Sequence, residues 1–298
     1  MPGPKIVDTL PTFLQYWQDA RHHPLEVQVD LWLAHYAPQW PVLADKQQQA
    51  YAEDGLDWRT VLKDRVFPFL PERVPLMEQA RHRLLACIPA VYGKARDVVG
   101  LDFDVVFVIL AIGWGGWATQ YQGERACLLG LDTIVELGWT EKETMSGLVA
   151  HELGHLLQLE WRARRDLPSG EGPFWDMYQE GFAQRCEHLI LGDDTWHMTA
   201  GQPTWLPWCQ NHQSWLASEF LKTAARGDPV YNFFGSWAEF NICGYHDCGR
   251  FLGHEMLRRW EKDTEFRDMA LLTPAQVDDR LRQALEEMAS SPPEAASP

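Results

Sequence analysis

The chain has few of the features that mark nucleic-acid-binding or membrane-spanning proteins. Its 26 Lys and Arg residues are outnumbered by 42 Asp and Glu residues, which gives a formal net charge of −16. A surface this acidic repels phosphate backbones and anionic lipid, so neither nucleic acid nor a membrane surface is expected as a partner. The longest apolar run, 105–112, is far too short to span a bilayer.

The chain also has little cysteine for its length, with six residues dispersed over 298 positions. A disulfide scaffold would be shorter and denser in cysteine, so these residues are expected to be reduced thiols. The N-terminal segment lacks a basic start followed by an apolar run and a small-residue cleavage site, so no secretory signal is expected. Both features predict a cytoplasmic location.

Hydrophobic residues make up 46% of the chain and charged residues 23%, which is typical of a folded globular protein. Residues 1–100 have tryptophans and leucines at helical spacing, and prolines at 38, 41, 68, 71 and 75 are expected to mark turns. A longer amphipathic helix is predicted over 71–95. This region is therefore predicted to be helical, and it contains no recognisable chemistry.

The pattern changes at residue 101. Two short apolar segments, 104–112 and 125–131, are bounded by glycine and charge and are predicted to be strands of a small sheet. A glycine-rich stretch, 113–116, separates them and is expected to be a flexible rim. The helices predicted further on cover 141–161, 174–191, 237–259 and 274–288. A long loop or lid is predicted over 193–217, and a disordered tail over 290–298.

The segment 148–157 carries the pattern on which the functional interpretation depends. His151 and His155 are four residues apart, so on a helix they project from the same side, one turn from each other. Both imidazoles can then reach one tetrahedral zinc ion, and Glu152 beside them can act as a general base. The rest of the segment is apolar, and burying two imidazoles and a carboxylate there without a partner would be strongly unfavourable. A metal site is therefore favoured over a merely polar helix face.

A catalytic zinc site needs a third protein ligand and an open fourth position. Glu180 is the predicted third ligand, because it lies on the next helix after a loop long enough to bring the two helices side by side. Glu171, Glu187 and His188 are the alternatives for this role.

The pattern His151-Glu152-x-x-His155, followed by a Glu-Gly-x-Ala segment that begins at Glu180, resembles the gluzincin metallopeptidases. The resemblance covers roughly residues 101–260 and is nearest to small predicted zinc-dependent proteases. It implies that His151, His155 and Glu180 are zinc ligands and that Glu152 is the catalytic base. It also implies that the preceding strands supply an edge along which an extended peptide binds.

The chain departs from that family four residues after the ligand glutamate. Many gluzincins have an aspartate there, which buttresses the first histidine, whereas this chain has Gln184. A glutamine accepts a hydrogen bond but carries no charge, and Glu187 is the alternative source of this support. The 24 residues between His155 and Glu180 also exceed the interval in the best-known members.

Peptide hydrolysis also needs a donor from Tyr, His or Arg to stabilise the oxyanion opposite the base. Tyr245 and His246 are the candidates, because zincins often supply such a group downstream of the ligands. A packed Tyr245 and a surface His246 fit the pattern equally well. Tyr231 and His254 are further alternatives.

These features predict an α+β, predominantly helical fold. It comprises an N-terminal helical region (1–100), a zincin-like metallopeptidase domain (101–289) with a small sheet before the active-site helix, and the tail. The expected function is zinc-dependent hydrolysis of peptide bonds in a peptide or protein substrate. The alternatives are a catalytically idle zincin-like domain that binds peptides or a protein partner, and hydrolysis of a non-peptide substrate. The sequence leaves the oligomeric state open.

Overall fold

A computed structural model describes residues 3–53, 55–235 and 240–290 of the chain. These residues are mostly helical and include a four-stranded sheet, which confirms the predicted α+β, predominantly helical class. They form two compact units, 1–152 and 153–298, and the division falls inside the helix Lys142–Ala163. Of the predicted tail, Ser290 is the last residue of a helix, and 291–298 lie outside the described residues.

The sheet belongs to the first unit. Its strands are β1 (Lys5–Asp8), β2 (Val106–Leu110), β3 (Trp117–Tyr121) and β4 (Glu124–Gly130). In the order β1-β2-β4-β3, the first three are parallel and β3 pairs antiparallel with β4 at one edge. The two predicted strands are confirmed to within two residues. The other two have no counterpart in the prediction, because neither is a continuous apolar run.

Helices precede and follow these strands along the chain. They are α1 (Leu10–Ala20), α2 (Leu25–Leu31), α3 (Pro41–Glu53), α4 (Trp58–Val61), α5 (Leu70–Val98) and α6 (Leu131–Glu136). The turn predicted at Pro75 is wrong, since this residue lies inside α5. The buried side chains of Val74 and Met77 flank it, and their packing outweighs the one helical hydrogen bond that a proline removes.

The two faces of the sheet pack against different helices. On one face, Leu43 of α3 packs with Val108 and Leu128, and Trp117 joins this cluster. On the other face, the ring of Tyr92 in α5 meets the ring of Phe107 with centroids 6.0 Å apart. Because side chains alternate along a strand, Cys127 of β4 points to this second face as well.

The second unit is helical. After the end of α7 (Lys142–Ala163) come α8 (Pro173–Leu191), α9 (Trp205–Asn211), α10 (Gln213–Arg226), α11 (Tyr231–Phe234), α12 (Cys248–Trp260), α13 (Phe266–Ala270) and α14 (Pro274–Ser290). The predictions of α7, α8 and α14 are confirmed. Helix α8 ends as expected, with Gly192 in the left-handed conformation.

Two predictions in the second unit are wrong. The loop or lid expected over 193–217 is helical from Trp205 onward, because apolar side chains such as Leu216 are buried at helical spacing and Pro207 falls in the first turn of α9. The helix expected over 237–259 begins only at Cys248. Residues 236–239 lie outside the described residues, and Asp247 just before the helix has a positive φ, which a right-handed helix does not accept.

Within the described part of the chain, no helix has both the length and the apolar character that crossing a lipid bilayer requires. The six cysteines are free thiols, as predicted.

Candidate metal centre

Helix α7 carries both histidines of the motif on one side. His151 and Glu152 are buried, and His155 is partly buried. The first two are the last residues of the first unit, and His155 lies in the second. One helical turn separates the histidines, so the geometry of a single continuous helix sets their spacing.

Glu180, on α8, lies next to this histidine pair. Its Oε1 atom is 3.5 Å from Nε2 of His155. Each of His151, His155 and Glu180 offers a donor atom, and these atoms lie within 4.8 Å of one another. Two imidazole nitrogens and one carboxylate oxygen suit a catalytic zinc ion, which keeps a fourth position for solvent or substrate. The structure therefore brings together the three predicted ligands, and their chemistry fits the metal.

Two alternatives to Glu180 have different surroundings. Glu171 is exposed in the loop before α8. His188 is buried, with its Nδ1 3.1 Å from Nε2 of His254 and its Nε2 3.0 Å from the side-chain amide of Gln184. Burial, reinforced by His254, lowers the pKa of His188 to about 4. Gln184 therefore contacts His188. It occupies the position at which many gluzincins have an aspartate.

The remaining alternative, Glu187, forms a second buried group with His151 and His197. Their donor atoms also lie within 4.8 Å of one another. Nδ1 of His197 is 2.7 Å from Oε2 of Glu187, and the main-chain N–H of His197 donates to Oε1 over 2.9 Å. A carboxylate beside a ligand histidine commonly orients its imidazole. Support of His151 by Glu187 stays a prediction, and the group adds His197, which the sequence pattern does not indicate.

A glycine in α7 explains why α8 approaches so closely. A Cβ at Gly154 would lie 2.6 Å from Cβ of Cys186 and 2.9 Å from Cα of Ala183. Both distances are shorter than ordinary contacts, so the residue at 154 must lack a side chain. Ala183 belongs to the same Glu-Gly-x-Ala segment as Glu180. The small residues of the two motifs therefore set the distance across which Glu180 reaches His155.

Helix α12 approaches α8 in a similar way. A Cβ at Gly181 would overlap the main chain of Gly253, and a Cβ at Gly253 would overlap the carbonyl oxygen of Met177. The two helices thus touch main chain to main chain. Because Gly181 directly follows Glu180, this contact brings the first turns of α12 to the proposed ligand.

The carboxylate of Glu152 lies against the loop that leads into β3. A Cβ at Gly116 would overlap Oε1 of Glu152. The main-chain N–H of Gly113 donates to Oδ1 of Asp132 over 2.9 Å, and the hydroxyl of Thr133 donates to the carbonyl oxygen of Gly113 over 2.6 Å. These hydrogen bonds hold the loop 113–116 in place, although its glycine content predicts a flexible rim.

Two ionisable groups, Asp132 near this loop and Cys127 on the second face of the sheet, have raised pKa values. Burial raises the pKa of Asp132 from 3.8 to about 7, although the N–H groups of Gly113 and Thr133 lower it in part. Burial, with the charge of Glu152, also raises the pKa of Cys127 well above its usual range. The loop beside the proposed base is therefore anchored on a carboxyl group that is about half protonated near neutral pH.

The two candidates for oxyanion stabilisation lie in the turn before α12. The hydroxyl of Tyr245 is 2.9 Å from that of Thr204, and its ring stacks on Trp208 with centroids 4.7 Å apart. Nδ1 of His246 lies 2.7 Å from the carbonyl oxygen of Phe240. Both side chains are thus engaged by neighbours in the second unit, and their catalytic role stays a prediction.

The two further alternatives differ in exposure. Tyr231 is 58% exposed, and its ring packs against Phe240. His254 is buried, and Nη1 of Arg185 lies 3.2 Å from its Nε2. Burial lowers the pKa of His254. A buried, neutral imidazole of this kind is a less suitable oxyanion donor than a side chain that faces solvent.

Arg250 also contacts Glu180, although no sequence motif includes it. Its Nε atom is 2.9 Å from Oε2 of Glu180 and 3.4 Å from Oδ1 of Asp247. The available signal is weak: Arg250 lies three residues before Gly253, on a helix with two glycines four residues apart. Such spacing predicts a close helix contact but does not identify the partner.

Comparison of the chain with protein-family models, with curated proteins and with solved structures gave no match. The likeness to gluzincins therefore depends on the motif residues and on the geometry around them.

Proposed function

We propose that the chain is a zinc-dependent peptidase of the gluzincin type. The observation that carries this proposal is the group of His151, His155 and Glu180, whose donor atoms lie within 4.8 Å of one another. Glu152 lies beside the first of these ligands on the same helix, where a general base is needed. The six free thiols support a cytoplasmic location.

A zinc ion held by these three side chains would supply Lewis acidity, which polarises the scissile carbonyl and makes water a stronger nucleophile at neutral pH. Glu152 accepts the proton of the attacking water and then returns it to the departing amine. Its position against Gly116 limits how its carboxylate can turn, which favours one orientation for both proton transfers.

The edge strand β3 supports a peptide as the substrate. It lies at the end of the sheet, and Gly116 beside the base directly precedes it. An extended peptide can pair with such an edge through its main chain, which aligns a peptide bond without a requirement for particular side chains. Tyr245 and His246 are kept as the candidates for oxyanion stabilisation.

The metal is tested by elemental analysis of the full chain and of two single variants. Wild type is expected to contain one zinc per chain, and Glu180→Ala is expected to lose most of it. Glu171→Ala, which changes an exposed glutamate in the loop before α8, is the matched control and should keep the metal. A wild-type protein without zinc would contradict the proposal.

The reaction is tested with Glu152→Gln in a digest of a mixed peptide library. This variant should retain zinc and lose about 10²-fold to 10⁴-fold in cleavage rate, because the substitution removes only the proton acceptor. Zinc in the wild type without any cleavage would favour the binding domain instead, and normal cleavage by the variant would show that Glu152 is not the base.

A further inference from the structure

The two oxygens of the Glu180 carboxylate face different partners. Oε1 lies 3.5 Å from Nε2 of His155, on the side of the proposed metal. Oε2 lies 2.9 Å from Nε of Arg250. The side chain of Arg250 is 18% exposed and that of Glu180 is 21% exposed, so water competes only weakly for this contact.

Asp247 lies near the same nitrogen atom of the guanidinium group. Its Oδ1 is 3.4 Å from Nε of Arg250, and its side chain is only 3% exposed. Burial raises the pKa of Asp247, the charge of Arg250 lowers it, and the charge of Glu180 raises it again. Two carboxylates therefore share one cation, and without Arg250 they would repel each other.

The pairing of Arg250 with Asp247 also limits repulsion of a metal cation. A lone guanidinium next to a zinc site would weaken cation binding through its charge, whereas an Arg–Asp pair has no net charge. The pair can thus orient Glu180 through a short ion pair, 2.9 Å between Nε of Arg250 and Oε2 of Glu180, without opposing the metal at longer range. The position of the Arg250–Asp247 pair relative to Glu180 depends on the main-chain contact between Gly181 and Gly253.

We propose that Arg250, anchored by Asp247, is a positioning residue that holds Oε2 of Glu180 so that Oε1 is presented to the zinc ion. This inference rests on the proposed metal site and assigns a role within it. Partners of ligand carboxylates and imidazoles typically change metal affinity by about 10-fold to 100-fold when they are removed.

The test removes the pair without changing net charge. Asp247→Asn combined with Arg250→Met loses one negative and one positive charge. Asparagine accepts the positive φ of position 247, and replacing a buried ion pair by neutral residues is often close to neutral for stability. The zinc dissociation constant of the full chain is measured by competition with a chelator, and unfolding is followed separately without metal.

The matched control is Asp278→Asn with Arg282→Met. This exposed pair on α14, 3.3 Å apart, has the same composition and charge. We expect the control to bind zinc like wild type, and the Asp247/Arg250 variant to bind it about 10-fold to 100-fold more weakly. Arg250→Lys alone, which keeps the charge but loses the planar group, should fall between them.

A double-mutant cycle shows whether the effect passes through Glu180. In a Glu180→Ala background the Asp247/Arg250 substitutions should cause no further loss of affinity, whereas a general disturbance of the fold would weaken both backgrounds equally. Unchanged affinity, or tighter binding, in the variant would overturn the positioning role while leaving the metal site intact. Failure of wild type and control to bind zinc would instead overturn the proposed function.

Discussion

The two units of the chain hold Glu152 and Glu180, the carboxylates with proposed roles, in different ways. In the first unit, Glu152 lies against the main chain of Gly116, at the end of a loop fixed by hydrogen bonds. In the second, Glu180 stands on a helix that touches its neighbours through small residues such as Gly181. A change in the first unit therefore displaces one side chain, whereas a change in the second separates whole helices.

The largest effect is expected at the contact between α8 and α12. Gly253→Ala would place a methyl group on the carbonyl oxygen of Met177, and neither main chain can move without shifting its helix. We expect the free energy of unfolding to fall by about 3 kcal/mol, the upper end of the usual effect of overpacking. Urea denaturation of the metal-free protein measures this loss. An unfolding free energy within error of wild type would contradict the main-chain contact.

The corresponding change in the first unit should spare stability and reduce activity. In Gly116→Ala the added methyl group meets only side-chain atoms of Glu152, so it displaces this side chain and leaves the main chain in place. A displaced base is expected to slow peptide cleavage by about 100-fold, because reacting groups tolerate little misplacement. Cleavage rate and urea denaturation, measured on the same preparation, separate the two effects. If the variant lost stability and kept its activity, the contrast between the units would be wrong.

A pH-dependent effect on stability is expected from the buried carboxyl group of Asp132 below this loop. The pKa of Asp132 is raised from 3.8 to about 7, so the folded protein holds this proton more tightly than the unfolded chain. The stabilising contribution of the Asp132 carboxyl group is therefore fully present below about pH 4 and is lost as the pH rises through about 7. The Asp132→Asn variant, which cannot ionise, should have a higher free energy of unfolding than wild type at pH 8. The difference should shrink toward pH 4, and a constant difference across this range would contradict the raised pKa.

The smallest effect is expected at a glycine without close neighbours. A Cβ at Gly93, within α5, would meet no atom within 4 Å. Gly93→Ala should therefore stabilise the protein by about 0.5 to 1 kcal/mol, through helix propensity alone. Thermal unfolding measures the gain, and the same variant is the control for both other glycine substitutions. A loss of stability here would contradict the open space around position 93.

The parts of the molecule that depend on local pattern could be predicted from the sequence. Helix α7 follows from its apolar spacing, and α8 from its apolar spacing and the glycine at its end. The four-residue interval between His151 and His155 then predicts the shared side. Glu180 could be predicted because it lies on the next helix within a recognisable segment.

The parts that depend on distant contacts could not be predicted. β3 is an edge strand that is stabilised by pairing with β4, and its own residues have no strong apolar pattern. Arg250 and His197 reach the site only because helices and loops far apart in the sequence pack together. No local spacing marks such residues, so they become visible only in the fold.

The contact between Gly181 and Gly253 has a consequence for how the site responds to heat. Side chains at an ordinary helix interface can change rotamer and let the helices drift apart in small steps, but a contact between two main chains offers no such intermediate positions. We therefore expect the protein to keep its bound zinc during warming and then to release it in one narrow transition, at the temperature where α8 and α12 separate.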